Sequence, residues 1–166
     1  MKKILVVDNH PVMLKFMSNL LEKEDHQVVT AEDGLSALEI LKSFIPDVAF
    51  IDLIMPNIDG RKLCKMIRGM QNIKDVCLIV ISGIASEENI DFSSFGADAC
   101  IAKGPINKMG GHVLSALDIL EKGSMSELSK KIIGLEDVYE RRITRELLSL
   151  KKHSELIFDN MEEGII

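Results

Sequence analysis

Four short apolar runs in this chain each end on a polar residue, and this arrangement limits the fold more than any other feature. The residues that end the runs are Asp8, Asp52, Ser82 and Lys103. Short, uninterrupted apolar runs rich in β-branched residues are typical of strands buried on both faces of a parallel sheet. Ligands of an open α/β sheet bind just beyond the carboxyl ends of its strands. The pattern therefore predicts that two carboxylates, a hydroxyl and an ammonium meet at one edge.

The chemistry of these four side chains predicts the kind of ligand. Carboxylates are suitable ligands for a hard divalent cation, whereas lysine and serine suit an anion with negative oxygens. The predicted site is therefore suited to a phosphoryl group held together with Mg²⁺.

The segments between the strands have the spacing of amphipathic helices. We predict a further strand over residues 28–31, and helices over residues 11–23, 34–43, 61–69, 87–95 and 108–121. Five alternating strand and helix units predict a doubly wound (βα)₅ parallel sheet of the flavodoxin-like type. The strand order 2-1-3-4-5 is preferred, because it places the first and third strands side by side and Asp8 opposite Asp52.

The chain changes character after this first unit, which spans residues 1–122. Residues 126–133 are predicted to form a short helix, within a helical connector over residues 123–160. Apolar residues in the connector recur at steps of three or four, close to a heptad pattern. The seam positions, all apolar except Ser154, are Ile132, Leu135, Tyr139, Ile143, Leu147, Leu150, Ser154, Ile157 and Met161. This seam either packs back on its own domain or forms a coiled coil in a homodimer, and we favour the coiled coil. Residues 161–166 are interpreted as the start of a following domain.

Composition excludes several classes of protein. The net charge of −6 argues against nonspecific nucleic-acid binding, which depends on basic patches. No apolar run approaches the roughly 18 residues of a membrane span, and the first run is too short for a signal peptide. The three cysteines have no C-x-x-C spacing and are interpreted as reduced thiols. These features predict a cytoplasmic protein that binds neither a membrane nor nucleic acid.

The motifs resemble a known family, the response-regulator receiver domain of two-component signalling. The resemblance covers residues 1–122, and its most specific part is the D-x-x-M-P-x-x-D-G segment at residues 52–60, with residues 4–8, 81–83 and 96–103 in the same order. It implies that Asp52 is the phospho-acceptor, and that Asp8, Asn9, Asp52 and the backbone carbonyl of Ile54 hold Mg²⁺ or Mn²⁺. It implies further that Ser82 and Gly83 form the switch, and that Lys103 binds the phosphate.

The resemblance also implies partners. A histidine kinase or phosphotransfer protein would supply the phosphoryl group, and the C-terminal helix would carry the signal to an output domain. This chain alone would not be an enzyme beyond its own phosphorylation and dephosphorylation. Residues 152–166 resemble the start of a PAS sensory domain, which suggests a PAS-containing sensor kinase as the parent protein.

Several residues depart from the family pattern. Asn9 replaces the usual second acid, Gly104 separates Lys103 from Pro105, and Cys100 replaces an aromatic residue. These departures keep open an alternative, a degenerate receiver that binds proteins without being phosphorylated. An aspartyl phosphatase is disfavoured because Ile54 cannot act as a general acid.

Four residues in or near the predicted site carry an additional interpretation. Ile54 and Ile84 occupy the positions that flank the path of the attacking water in this family, so they are predicted to slow loss of the phosphate. His10 is interpreted as an ordinary loop residue. Asp8 has an alternative role as the cap of the first helix.

Overall fold

A six-stranded parallel sheet forms the centre of the fold. The computed structural model describes residues 1–83, 90–129, 132–137 and 146–154. The strands are Lys3–Val7 (β1), Gln27–Ala31 (β2), Val48–Asp52 (β3), Cys77–Ser82 (β4), Ala99–Ala102 (β5) and Ile132–Ile133 (β6). Their order is β2-β1-β3-β4-β5-β6, which confirms the predicted order 2-1-3-4-5 and adds one strand at the edge.

Helices cover both faces of the sheet, as right-handed crossovers require. They are Pro11–Glu22 (α1), Gly34–Ile40 (α2), Gly60–Arg68 (α3), Ile106–Glu121 (α4) and Met125–Leu128 (α5). The buried side chains form two apolar clusters, one containing residues of α2 and α3 and the other residues of α1 and α4. Four of the predicted helices are therefore present, with bounds shifted by a few residues.

The connection between β4 and β5 differs from the prediction. Instead of an α-helix over residues 87–95, the described part holds a short 3₁₀ helix, Phe92–Phe95. Residues 84–89 lie outside the described ranges. The 3₁₀ helix ends at Gly96, whose φ of 88° favours glycine and stops the helix.

Aspartate caps fix where two of the helices begin. Asp33 accepts a hydrogen bond from the Ser36 N–H at 2.7 Å, and Asp59 accepts one from the Lys62 N–H at 2.8 Å. Each carboxylate satisfies a backbone donor in the first turn of its helix, α2 or α3. The Asp59–Gly60 pair therefore forms the turn and the cap at the start of α3.

The C-terminal extension begins as part of the sheet. Ile132 and Ile133 pair with Cys100 and Ile101 of β5, so the predicted helix over residues 126–133 is wrong for these two positions. The reason is that β5 would otherwise be an open edge strand, which readily accepts a β-branched partner segment. Ile132 and Leu135, the first two seam residues, also pack against the buried cluster of the domain.

The rest of the seam is only partly described. Residues 146–154 are helical, and Leu147 and Leu150 are 61% and 65% exposed. Four other seam residues lie outside the described ranges: Tyr139, Ile143, Ile157 and Met161. The same is true of residues 155–166, which make up most of the segment that resembles a PAS domain. The coiled coil and the homodimer therefore stay predictions. No helix in the described ranges is both long and apolar enough to cross a membrane.

We expect Gly60→Ala to destabilise the protein, because there is no room for a methyl group at this position. A Cβ atom on Gly60 would lie 2.3 Å from the Asp52 carbonyl oxygen and 2.8 Å from Leu53 Cα. Relieving such overpacking costs about 1–3 kcal/mol in the free energy of unfolding. Gly111→Ala in α4 is the matched control: nothing lies within 4 Å of its Cβ position, and the helix should gain about 0.5–1 kcal/mol. Urea denaturation measures both, and similar effects of the two substitutions would contradict the packing argument.

Candidate functional site

The four polar residues predicted to converge do lie along one edge of the sheet. Asp8 directly follows β1, Asp52 and Ser82 are the last residues of β3 and β4, and Lys103 directly follows β5. Asp8, Asp52 and Ser82 are buried, with 2%, 4% and 1% of their surface exposed. The parallel pairing of β1 with β3 and of β3 with β4 brings these strand ends together.

Lys103 connects the two acids. Its Nζ lies 2.9 Å from Asp8 Oδ2 and 3.4 Å from Asp52 Oδ2. The Lys103 backbone N–H donates to the Ser82 carbonyl at 2.8 Å, which fixes the lysine beside the end of β4. One ammonium therefore serves two buried carboxylates, so the pocket keeps a net negative charge.

The surroundings of Asp52 disfavour its ionised form. Burial raises the pKa of the Asp52 carboxyl, the charge of Lys103 opposes this rise, and the neighbouring charge of Asp8 adds to it. A hydrogen bond from the Ile54 backbone also lowers this pKa, but burial remains the largest cause. Asp52 is therefore a carboxylate whose charge is incompletely compensated, as is typical of functional sites.

The remaining predicted residues lie around this pocket with differing exposure. Gly83 follows Ser82, and a Cβ atom on it would lie 4.0 Å from Lys103 Cβ. Asn9 is exposed, and Ile54 is 57% exposed. Ile84 lies outside the described ranges, so the slow loss of phosphate stays a prediction.

Two of the residues that depart from the family pattern, Gly104 and Cys100, have a clear position in the structure. The Gly104–Pro105 peptide bond is trans, and Pro105 directly precedes α4. Cys100 is buried in β5, and burial raises the pKa of its thiol to about 12. The Cys100 thiol is therefore neutral at physiological pH, which agrees with its interpretation as a reduced thiol.

His10 belongs to the pocket, although the sequence interpretation treated it as a loop residue. Asp8 Oδ1 accepts a hydrogen bond from the His10 backbone N–H at 2.8 Å, and His10 Nδ1 lies 3.1 Å from the same oxygen. His10 is itself the N-cap residue of α1, so Asp8 does not cap that helix. The available signal was the spacing Asp8-x-His10 directly after a strand, which turns both side chains toward one site.

The donor set fits a divalent cation. Ligand atoms of Asp8, His10 and Asp52 lie within 4.8 Å of one another. Mg²⁺ is commonly bound through one or two carboxylates and keeps several waters, so the carboxylates of Asp8 and Asp52 suffice. The pocket can therefore hold a cation beside Asp52.

One known protein family matches most of this chain. Residues 4–109 match the model of the response regulator receiver domain. The chain belongs to this family. The flavodoxin-like sheet is thus the fold of a receiver domain.

Curated relatives match this receiver domain over part of their length. The sensor histidine kinase RcsC of Salmonella typhimurium is 34% identical over 100 residues, which are 60% of this chain and 10% of that protein. The alkaline phosphatase synthesis transcriptional regulatory protein PhoP of Bacillus subtilis is 31% identical over 90 residues, 54% of this chain and 36% of that protein. The chain therefore spans from about a tenth to about a third of these relatives.

Solved receiver domains have the same fold. The receiver domain of the Francisella response regulator 1452 is 30% identical with a TM-score of 0.64, covering 75% of this chain and 99% of that one. A CheY-like receiver domain protein from Methanospirillum hungatei is 28% identical with a TM-score of 0.62, covering 74% and 98%. The match is nearly complete for those domains, and it leaves about a quarter of this chain outside.

We expect Asp52→Asn to stabilise the receiver domain at neutral pH. An acid whose pKa is raised by folding destabilises the folded state once pH exceeds its unfolded value of about 3.9. This penalty is absent below that value, grows as pH rises through the folded pKa, and is complete above it. Asparagine carries no such penalty. The urea midpoint of Asp52→Asn should therefore exceed that of the native chain at pH 7, with a smaller difference at pH 4. A variant less stable than native at pH 7 would show that Lys103 outweighs burial.

Proposed function

We propose that this receiver domain is a phosphoryl-accepting switch in which Asp52 takes a phosphoryl group from a histidine kinase or phosphotransfer protein. The observation that carries the proposal is the position of Lys103, whose Nζ lies between the buried carboxylates of Asp8 and Asp52. A cation in this position can neutralise the oxygens of an incoming phosphoryl group. Family membership supports the same role.

The reaction assigns a task to each group of the pocket. An Asp52 carboxylate oxygen attacks phosphorus, a new O–P bond forms, and the bond between phosphorus and the donor breaks with the electron pair leaving on the donor. Lys103 then exchanges a carboxylate partner for a phosphoryl oxygen. Asp8, Asn9, Asp52 and the Ile54 carbonyl would hold Mg²⁺ or Mn²⁺, which supplies charge neutralisation for this transfer when bound.

Ser82 is the proposed switch hydroxyl. The product acyl phosphate carries roughly −1.5 to −2 charges and new acceptor oxygens, to which the Ser82 hydroxyl can donate. Ser82 is the last residue of β4, and its carbonyl accepts the Lys103 N–H at 2.8 Å. A movement of Ser82 toward the phosphate would therefore displace the carboxyl ends of both β4 and β5.

The degenerate-receiver alternative lacks a comparable observation in its favour. Its motivation was Asn9 and Gly104. A module that only binds proteins has no use for a carboxylate whose pKa is raised by burial beside a second buried acid, because such a pair costs stability. The retention of Asp8, Asp52 and Lys103 in contact supports phosphoryl acceptance instead.

The C-terminal extension is the proposed output element. β6 pairs with β5, and Lys103 is the residue that follows β5. Asp137 fastens the extension to α4, since its carboxylate lies 3.0 Å from Lys108 Nζ and 2.6 Å from His112 Nε2. A displacement of β5 would thus displace residues 132–137 and, through them, the helical residues 146–154. In that helix the exposed Leu147, Leu148 and Leu150 offer an apolar surface for a second copy of the chain.

Phosphorylation should be confined to Asp52 and should require a divalent cation. After incubation with acetyl phosphate and Mg²⁺, intact-mass analysis should show one added phosphoryl group on the native chain and none on Asp52→Asn. Asp59→Asn is the matched control, because Asp59 lies in the same loop but caps α3, and asparagine also caps well. Equal labelling of Asp52→Asn, or labelling unaffected by a chelator, would refute the proposal.

Removing the charge of Asp137 should weaken the contact between the C-terminal extension and α4. We expect Asp137→Asn to increase amide hydrogen exchange over residues 132–137, because Lys108 and His112 lose their charged partner. Asp118→Asn is the control, since Asp118 pairs with Lys122 within α4 and touches no part of the extension in the described contacts. Phosphorylation of the native chain should change exchange in the same segment. Unchanged exchange on phosphorylation would exclude β6 as the output element.

A further inference from the structure

The loop after β1 gives the pocket a donor of a different chemical type. His10 Nδ1 lies 3.1 Å from Asp8 Oδ1, and the backbone N–H of His10 donates to that oxygen at 2.8 Å. These two contacts hold the imidazole at the pocket mouth although its side chain is 67% exposed. Within the described ranges, Asp8, His10 and Asp52 form the one group of three or more histidine, cysteine or acidic side chains with ligand atoms this close.

The two oxygens of Asp8 face different partners. Oδ2 lies 2.9 Å from Lys103 Nζ, whereas Oδ1 is beside His10. A cation on the Lys103 side would meet the ammonium, whereas a cation on the Oδ1 side would find the Nδ1 atom of His10 as a second donor beside that oxygen. The side of Asp8 open to a metal is therefore the side on which His10 lies.

The imidazole can change from hydrogen-bond partner to ligand at little cost. Coordination through Nδ1 needs the neutral tautomer with its proton on Nε2. Because the side chain is 67% exposed, water can accept a hydrogen bond from Nε2–H. No buried group has to be left without a partner when the tautomer changes.

A nitrogen ligand alters which ion the pocket prefers. Mg²⁺ favours oxygen ligands, whereas imidazole favours first-row transition ions. Asn9 strengthens the effect, since an amide in place of a second acid removes one of the charges on which a purely electrostatic Mg²⁺ site depends. Two carboxylates and one imidazole are a donor set suited to a transition ion.

We propose that His10 is a metal ligand of this pocket and that it makes the site prefer a first-row transition ion over Mg²⁺. The inference deepens the proposed function, because it concerns the metal beside Asp52. Mn²⁺ is the appropriate probe, since it is the weakest binder of the first-row series and so gives the strictest test of a nitrogen preference.

The experiment measures metal binding to the full chain without any phosphoryl donor. Titration followed by the electron paramagnetic resonance signal of free Mn²⁺ gives its affinity, and competition gives that of Mg²⁺. His10→Ala should weaken Mn²⁺ binding by about tenfold or more, as loss of a ligand or its support does, and Mg²⁺ binding by less than about threefold. His153→Ala removes another exposed imidazole, in the helical residues 146–154, and should change neither affinity.

Direct ligation has a spectroscopic signature. Electron spin-echo modulation from imidazole nitrogen should appear in the Mn²⁺-loaded native chain and disappear in His10→Ala and in His10→Gln, which offers an amide oxygen instead. Absence of this modulation from the native chain, or equal weakening of Mn²⁺ and Mg²⁺ by His10→Ala, would overturn the proposal. Either result can coexist with normal phosphorylation of Asp52, so failure of this inference is distinguishable from failure of the proposed function.

Discussion

Two carboxylates, those of Asp8 and Asp52, are buried at the carboxyl edge of the sheet, and the Lys103 ammonium lies 2.9 Å and 3.4 Å from their oxygens. Burying two like charges costs several kcal/mol per ion unless a cation compensates them, so the placement of this one lysine makes the pocket possible. The sheet order provides that placement. β1 and β3 are neighbours, and β5 lies two positions from β3, so that the long side chain of Lys103 can reach both carboxylates. Because one positive charge compensates two negative ones only in part, the pocket retains an excess of negative charge.

The opposite end of the sheet is held together by a different set of contacts. The Arg68 guanidinium, at the end of α3, donates to the Gly96 and Val76 carbonyls at 2.8 Å and 2.7 Å and to Asp98 Oδ2 at 2.7 Å. Asp98 in turn accepts the Leu78 N–H at 2.8 Å, which ties the beginnings of β4 and β5 to this helix. With the amino ends of both strands anchored in this way, movement is more readily accommodated at their carboxyl ends, where Ser82 and Lys103 lie. On the proposed function, stability and switching are thus assigned to opposite ends of the same two strands.

The sequence predicted the sheet well because buried parallel strands have an unambiguous pattern, and a polar residue at each strand end located the pocket. It failed where tertiary context outweighs local pattern. Ile132 fits a helical seam by spacing and Ile133 lies in the same predicted helix, but both residues pair with the open edge of β5 as a strand. His10 was missed because its role depends on a backbone turn that brings its N–H and Nδ1 to one oxygen of Asp8. The spacing Asp8-x-His10 after a strand indicates that both residues share one loop, but it does not specify which atoms of the two residues meet.

Cys100 stands where the family pattern has an aromatic residue. Its thiol is buried and neutral, with a pKa raised to about 12, and it is too small to transmit a change by swinging between two positions. β6 pairs with β5, and Ile132 of β6 lies opposite Cys100, so a shift of β5 would act directly on β6. A two-residue strand has few backbone hydrogen bonds, so it belongs to the least stable part of the sheet and can open without global unfolding. On the proposed function, the shortness that makes β6 a weak addition to the fold also lets it respond when the charge at Asp52 changes.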